Sequence, residues 1–536
     1  MHPPERTGRP PAALILVVAA LAGSATMVVE LAAVRLLAPW FGTSQTVWTN
    51  VIGVVLFALA LGYLLGARLS SRTRPELALG VLLLIGGATA AWLPALTPLV
   101  AETFLPPGLA LDEVAGLLRW GSLAAALVLF LPSALLLGTI APLCVEILAR
   151  AAHTGAGSAG GRVLCVSTLG SLAGTFATSF VLVPELGLSR TFLSAGAVLA
   201  VLGTATLLSA RSPKAVALLV LVAGAATAGE LRRPALRAGA SLLETRESPY
   251  QSVRVVEYRD DAGRPTRREL QVNEAFDSFQ SVWVPAVGPI GGGEYYDVFA
   301  LPAWWSGAPR TWRVGVLGLG GGTTLRVLDG GLPADTRLTA LGIELDPTVV
   351  ELGRRWMDLE SSAVHRVLAG WDARAALVHA HEEFDELVLD AYSNQMEIPA
   401  HLCTREFFAL ARDRLALGGF LCVNVGAFAL DDPVLDAVAR SAASGMSEPV
   451  LALRVPFSRN VVLVARRGAG IPNPADPAFV PADERVAPLA RRLALPGAWR
   501  WFEAGGAAPL VDDRCDIERL QLRSIERARE FGGGIP

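Results

Sequence analysis

Apolar residues fall in long unbroken runs over the first 230 positions and in short alternating or clustered runs over the rest. A bilayer crossing needs about 20 largely apolar residues in a helix. Runs of that kind lie near 12–38, 47–68, 77–100, 118–148, 163–183 and 191–210, with a shorter one near 215–229. They predict a multi-pass α-helical membrane bundle of six to seven spans over residues 1–230. The first run continues past Ala25 into further apolar sequence, so it is not read as a cleaved signal peptide. Arg68, Arg72 and Arg74 mark the loop after the second run as cytoplasmic, and Arg150 and Arg162 do the same after the fourth. Seven full crossings from an inside N-terminus would place the following part outside, whereas the basic flank Arg232, Arg233 and Arg237 favours inside. A cytoplasmic position is therefore expected for that part, with the crossing number open. Within the runs, Glu30 and Arg35 read as a bundle-facing pair and Glu146 as a snorkelling end residue. The small residues from Gly170 to Gly174 suit close helix packing.

From about Ser241 the texture changes. Ser252–Tyr258 and Arg268–Asn273 flank Asp260-Asp261-Ala262-Gly263, which predicts a β-hairpin within a subdomain over 241–290. Strands are then expected at Arg313–Gly318, Leu338–Glu344, Val367–Ala369, Phe384–Asp390 and Gly419–Val425. Helices are expected between them at Thr323–Leu328, Pro347–Met357 and Thr404–Leu415. This rhythm predicts an α/β doubly wound, Rossmann-like domain with a mostly parallel sheet over 291–470. Residues 471–536 are expected to form a C-terminal extension packed on it.

Charge follows the same division. Residues 1–229 hold 12 Lys or Arg and 8 Asp or Glu, and the remainder holds 34 and 41, so a weakly basic apolar part precedes an acidic one. An acidic part of this kind suits cationic small molecules and argues against nucleic acid. The five cysteines form no CxxC, so neither a disulfide scaffold nor a zinc site is supported. The single lysine, Lys214, removes a Schiff-base or P-loop lysine from the acidic part.

Ligands of such sheets sit beyond the carboxyl ends of the strands. There Gly318, Gly320 and Gly322 would let backbone approach a ligand, and Glu344 could take both hydroxyls of a ribose. Asp372 could meet an adenine amino group or simply cap a helix, and Asp390 lies where a reacting group would sit. The glycine pattern alone is weak, but acids at three strand ends point to a nucleoside cofactor.

Several short motifs now combine: Ser248-Pro249-Tyr250-Gln251, Tyr295-Tyr296-Asp297, Ala300-Leu301-Pro302, Glu344-Leu345-Asp346, Asp372, Asp390 and Pro399-Ala400. To these add the tail Pro509-Leu510-Val511-Asp512-Asp513 and, in the apolar part, Phe41-Gly42-Thr43-Ser44. On them, residues about 241–430 resemble the spermidine synthase (polyamine aminopropyltransferase) family, and the whole chain resembles its membrane-fused bacterial branch. The resemblance implies a methyltransferase-type Rossmann fold and decarboxylated S-adenosylmethionine as co-substrate, with no metal. Its aminopropyl group would pass to an amine, leaving 5′-methylthioadenosine. Asp390 would be the base or proton relay, with Tyr295 orienting the amine. Gln251, Gly318, Gly320, Gly322, Glu344, Asp372, Pro399 and Ala400 would hold the donor, and Asp277, Tyr296 and Ser393 would face the acceptor.

Departures matter too. Gly321 stands where the family has the Asp that holds the donor's amino group, Ser393 replaces an amine-binding acid, and Asp277 stands at a Gln. Putrescine becomes doubtful as acceptor while the nucleoside site survives. Three alternatives stay open: cyclisation of the donor on its own amine to an azetidine, use of S-adenosylmethionine itself, and a non-catalytic nucleoside- or polyamine-sensing membrane protein. The expected partners are a small-molecule amine, or the donor alone, and the lipid bilayer; a homodimer stays open. The expected location is the bacterial inner membrane.

Overall fold

The computed structural model describes residues 10–41, 45–71, 74–106, 111–210, 236–272, 279–291, 294–307, 309–360, 364–392, 398–456, 458–503, 505 and 508–530. The apolar run near 215–229 lies outside them, as do Asp277 and Ser393. The chain forms two compact units: a helical one over most of the first 235 residues together with Glu247–Gln251, and an α/β one holding Ser252–Pro536.

The helical unit contains α1 (Ala12–Phe41), α2 (Gln45–Ser70), α3 (Pro75–Phe104), α4 (Leu111–Gly138), α5 (Ile140–Ala152), α6 (Ala156–Ala177) and α7 (Gly187–Ser209). Five continuous helical stretches among the described residues are long and apolar enough to cross a membrane, the last being Ala156–Ser209. At 1.5 Å per residue those 54 residues would reach roughly 80 Å, more than twice a bilayer core. The stretch is not straight. A π-helical segment, Thr178–Leu186, contains Pro184 and ends at Gly187, whose φ of 75° and ψ of 169° break the helical path. The runs near 163–183 and 191–210 are therefore two arms, α6 packing on α1 and α7 on α3. Small residues make the first of these possible, because a Cβ on Gly174 would lie 2.5 Å from the Ser24 carbonyl oxygen. Glu146 forms an i,i+4 ion pair with Arg150 at 2.5 Å, which neutralises it at the end of its run.

In the α/β unit the expected hairpin is β2 (Ser252–Arg259) and β3 (Pro265–Val272), turned where Gly263 takes a φ of 77°. With β1 (Ala240–Glu247) and β4 (Ser281–Trp283) it forms a four-stranded sheet in the order β1-β2-β3-β4. Eight further strands make the large sheet: β5 (Thr311–Leu317), β6 (Arg337–Glu344), β7 (His365–Ala369), β8 (Phe384–Leu389), β9 (Leu415–Gly426), β10 (Val450–Arg454), β11 (Asn460–Arg466) and β12 (Trp499–Phe502). Their order is β12-β10-β11-β9-β8-β5-β6-β7. The five from β9 to β7 are parallel, and the other three continue antiparallel from β9.

The doubly wound sheet expected from the strand–helix rhythm is present. One difference concerns the C-terminal extension, which does more than pack on the sheet: Trp499–Phe502 is its edge strand, registered on β10. Four residues are too few for a period-2 pattern to stand out. The central strands are buried on both faces, so they read as apolar runs rather than alternations. Phe384, Phe407 and Phe408 pack one face; Tyr296, Phe299, Trp312 and Phe420 pack the other.

The order places a switch point between β5 and β8. From β5 the chain winds outward through β6 and β7, then returns to β8 on the opposite side of β5. Crevices outside such points are where ligands of open α/β sheets bind.

Candidate active site

The carboxyl ends of β5 and β8 lie side by side, Leu317 paired with Leu389, and the Asp390 N–H donates to the Leu317 carbonyl at 2.9 Å. Beyond β5 the backbone turns through Gly318, Gly320 and Gly322, with φ of 88°, 56° and 94°. These values suit glycine far better than other L-residues. Gly318 has a second reason: a Cβ there would lie 2.7 Å from Ala391 Cα and closer still to the Asp390 carbonyl. The first glycine and the candidate base are thus in mutual backbone contact.

Asp390 receives two donors. The Tyr295 hydroxyl donates to Oδ2 at 3.0 Å, and the Asn424 side-chain amide donates to Oδ1 at 2.8 Å. Burial pushes the Asp390 carboxyl up to about 6, and the nearby Glu344 charge adds to this; the Asn424 and Tyr295 hydrogen bonds pull the other way. Tyr295 opens a 3₁₀ turn, Tyr295–Ala300, and stacks on Tyr296 with ring centroids 4.0 Å apart. The Tyr296 hydroxyl donates to the Gln280 carbonyl at 3.0 Å and its ring is buried, so this side chain braces Tyr295.

Glu344, at the end of β6, accepts from the Gly320 N–H at 2.8 Å and the Asp346 N–H at 3.0 Å. Burial raises its carboxyl above the ordinary value against those donors. An ionised carboxylate has about four acceptor sites, so these backbone donors leave acceptor capacity for a ribose hydroxyl. Asp346 caps the next helix through Thr348 N–H at 2.9 Å. The Gly321 N–H donates to Ser281 Oγ at 2.7 Å, and a side chain at Gly321 would run into Ser281 and the Met357 thioether. The space for an acid at this position is filled.

On the next strand end, Asp372 caps the helix Ala373–His379 through Ala375 N–H at 2.9 Å and pairs with His401 Nε2 at 2.8 Å. Burial raises the Asp372 carboxyl, yet the Ala375 amide and His401 bring it below its usual value. Pro399 and Ala400 open the 3₁₀ turn that carries His401. The C-terminal tail holds this segment: Asp512 accepts from Arg374 at 2.7 and 2.6 Å and from Thr404 Oγ1 at 2.7 Å. Gln251 belongs to the turn between β1 and β2, where its N–H donates to Ser248 Oγ at 2.9 Å.

The structure therefore groups Asp390, Tyr295, the Gly318–Gly322 turn and Glu344 at the switch point, with Asp372, Pro399 and Ala400 in one hydrogen-bonded cluster. Sequence reasoning missed Asn424, His401 and Ser281. Asn424 had a signal, being an amide inside the apolar run Phe420–Val425.

Asp512 supplies a test of the tail's part. The Arg374 hydrogen bond holds its carboxyl down at about 2, against an ordinary 3.8. A depressed folded-state value means that the stabilisation is complete above the unfolded value and is lost as pH falls through the folded one. The thermal-midpoint gap between wild type and Asp512→Asn is expected to be full at neutral pH and to close from 3.8 down to about 2. The pair is partly exposed, so the gap is small.

No family model matches the chain. It is 28% identical over 228 residues to a probable polyamine aminopropyl transferase of Bifidobacterium longum, covering 41% of this chain and 48% of that one. The chain thus spans about half of that relative's length. It is 28% identical over 452 residues to a polyamine aminopropyltransferase of Mycobacterium tuberculosis, covering 77% of each. Among solved structures, it is similar to a probable spermidine synthase of Corynebacterium glutamicum, with 19% identity and a TM-score of 0.37 over 51% of this chain and 96% of that one.

Proposed function

We propose that this chain, similar to polyamine aminopropyltransferases over 77% of its length, is itself an aminopropyltransferase-type enzyme acting on decarboxylated S-adenosylmethionine. The amine nitrogen of an acceptor attacks the propyl carbon next to the sulfonium. A C–N bond forms, the C–S bond breaks, and its electron pair returns to sulfur, leaving neutral 5′-methylthioadenosine. The proton lost from the amine goes to Asp390.

The observation that supports this most is the buried Asp390 carboxylate at the switch point, flanked by Tyr295 and one strand from Glu344. An amine attacks only as the free base, and a carboxylate with a pKa of about 6 is ionised at neutral pH while still able to take a proton. Tyr295 fixes the carboxylate and meets the incoming nitrogen. Glu344 takes the ribose hydroxyls, and the Gly318–Gly322 turn and Asp372 line the nucleoside. Pro399 and Ala400, in the turn that carries His401, close its far side, and Tyr296, stacked on Tyr295, completes the amine site. With Gly321 closed off by Met357 and Ser281, the donor's ammonium is held by other groups than in the family pattern.

The apolar helices anchor the enzyme in the cell membrane, with the α/β unit on the cytoplasmic side. A small-molecule amine and the lipid bilayer are its partners.

The test is to incubate purified protein with decarboxylated donor and a panel of amines, following methylthioadenosine and the alkylated amine by mass spectrometry. Release that depends on an added amine, with matching aminopropylated product, is expected. Release without any amine, with azetidine as the co-product, would make the donor's own nitrogen the nucleophile. No release under either condition would overturn the proposal.

A further inference from the structure

Asn424 is buried in β9, and its side chain links two polar groups in an otherwise apolar strand. Its Nδ2 donates to Asp390 Oδ1 at 2.8 Å, while its Oδ1 accepts from Asn460 Nδ2 at 2.8 Å. Asn460 begins the neighbouring strand β11, and its own Oδ1 accepts from Ser458 Oγ at 2.6 Å. The direction of this chain follows from chemistry. An ionised carboxylate can only accept, so Asn424 must present its NH₂ to Asp390 and turn its oxygen to Asn460. Asn460 must then present its own NH₂ and turn its oxygen to the Ser458 hydroxyl, which can donate. Every amide in the row points its donor towards Asp390.

We propose that Asn424 and Asn460 are positioning residues for the base: a fixed amide chain, anchored at Ser458, that holds Asp390 ionised and in one rotamer. This rests on the reading of Asp390 given above. The titratable groups facing Asp390 are Tyr295 and Tyr296 from the 3₁₀ turn, Tyr392 just after β8, and Glu344 at the end of β6. Burial raises all three tyrosines well above their usual value, so they stay neutral. Burial and Glu344 both favour a protonated Asp390. The donors that oppose them are the Tyr295 hydroxyl, itself hydrogen-bonded to Tyr296, and the Asn424 amide, whose orientation Asn460 fixes. Asn460 does its work through Asn424, without touching Asp390.

The experiment titrates the Asp390 carboxyl in the purified full-length protein by infrared difference spectroscopy. The protonated-carboxyl stretch is assigned by its loss in Asp390→Asn. In Asn424→Leu, which keeps the branched heavy-atom shape and removes the donor, the midpoint is expected to rise by about one to two pH units, the equivalent of one charged hydrogen bond. The acid limb of kcat should move by the same amount, with KM for the donor little changed. Asn460→Ala, at a half-buried strand start, should shift both in the same direction by less, and keeps the test open if Asn424→Leu fails to fold. A merely structural role would lower stability and leave the midpoint in place. An unmoved midpoint in a folded variant overturns the inference. Because the infrared titration needs no substrate, absence of methylthioadenosine release in wild type counts against the transfer reading alone.

Discussion

Replacing Asp390 with Asn is expected to lower kcat by about 10³-fold, within the range that a positioned base contributes, while leaving 5′-methylthioadenosine affinity within a few-fold. The substitution is nearly isosteric, and the surrounding donors can accommodate it. Asn424 is held with its NH₂ towards position 390, so the new amide turns its oxygen to Asn424 and its nitrogen to the Tyr295 hydroxyl. A hydroxyl can accept as well as donate. The fold and the nucleoside site therefore persist, and what is lost is the capacity to take a proton. The same carboxyl gives the pH dependence its sign. With a pKa of about 6 it must be ionised to act, so kcat in wild type falls on the acid side of that value and is level above it. Steady-state kinetics with a saturating amine, paired with calorimetric titration of methylthioadenosine, provide the check. Turnover in Asp390→Asn within a few-fold of wild type would remove this residue from the chemistry.

Gly318→Ala is expected to reduce kcat/KM by about 10²-fold, the scale of a roughly 1 Å misplacement of reacting groups. Two effects combine at this one position. The φ of 88° is strained for alanine, and the new methyl would overlap the Asp390 carbonyl and come within 2.7 Å of Ala391 Cα. Both atoms are backbone, so the overlap is relieved only by moving the end of β8 away from β5. Gly497→Ala separates the effects. Gly497 has a φ of 83° with nothing within 4 Å of its would-be Cβ, so it carries the strain without the overlap. That variant should lose some thermal stability and keep full activity. Gly318→Ala should lose activity even where it remains folded, as judged by circular dichroism and methylthioadenosine release. Equal activity in the two variants would show that the contact between Gly318 and Asp390 has no part in catalysis.

Much of the α/β unit was legible along the chain because its signals are local. Val314–Leu317 followed by glycines, and Val388-Leu389 followed by Asp390, are strands ending in residues that strands do not favour. Asp260–Gly263 between two alternating runs is a turn by its own chemistry. The apolar runs announced helices for the same reason, since length and hydropathy are summed over neighbours. The helical arms beside Gly187 were legible as two runs, though not as one helical stretch broken at a single glycine. The edge strand Trp499–Phe502 was not legible, because its pairing partner β10 lies about fifty residues earlier.

The same distinction separates the parts of the candidate site. By itself the sequence determined which acids end strands and where glycine must turn the backbone, because each depends on a few adjacent residues. It also determined the division into an apolar and an acidic part. Only the tertiary structure decided that β8 returns beside β5, which brings Asp390 against Gly318. It alone decided that Asn424 and Asn460, 36 residues apart, share a hydrogen bond, and that Asp512 reaches Arg374 across 138 residues. The physical reason is common to all three. A hydrogen bond is specified by geometry at 3 Å, and geometry between distant segments is set by strand order and register, which no local pattern encodes.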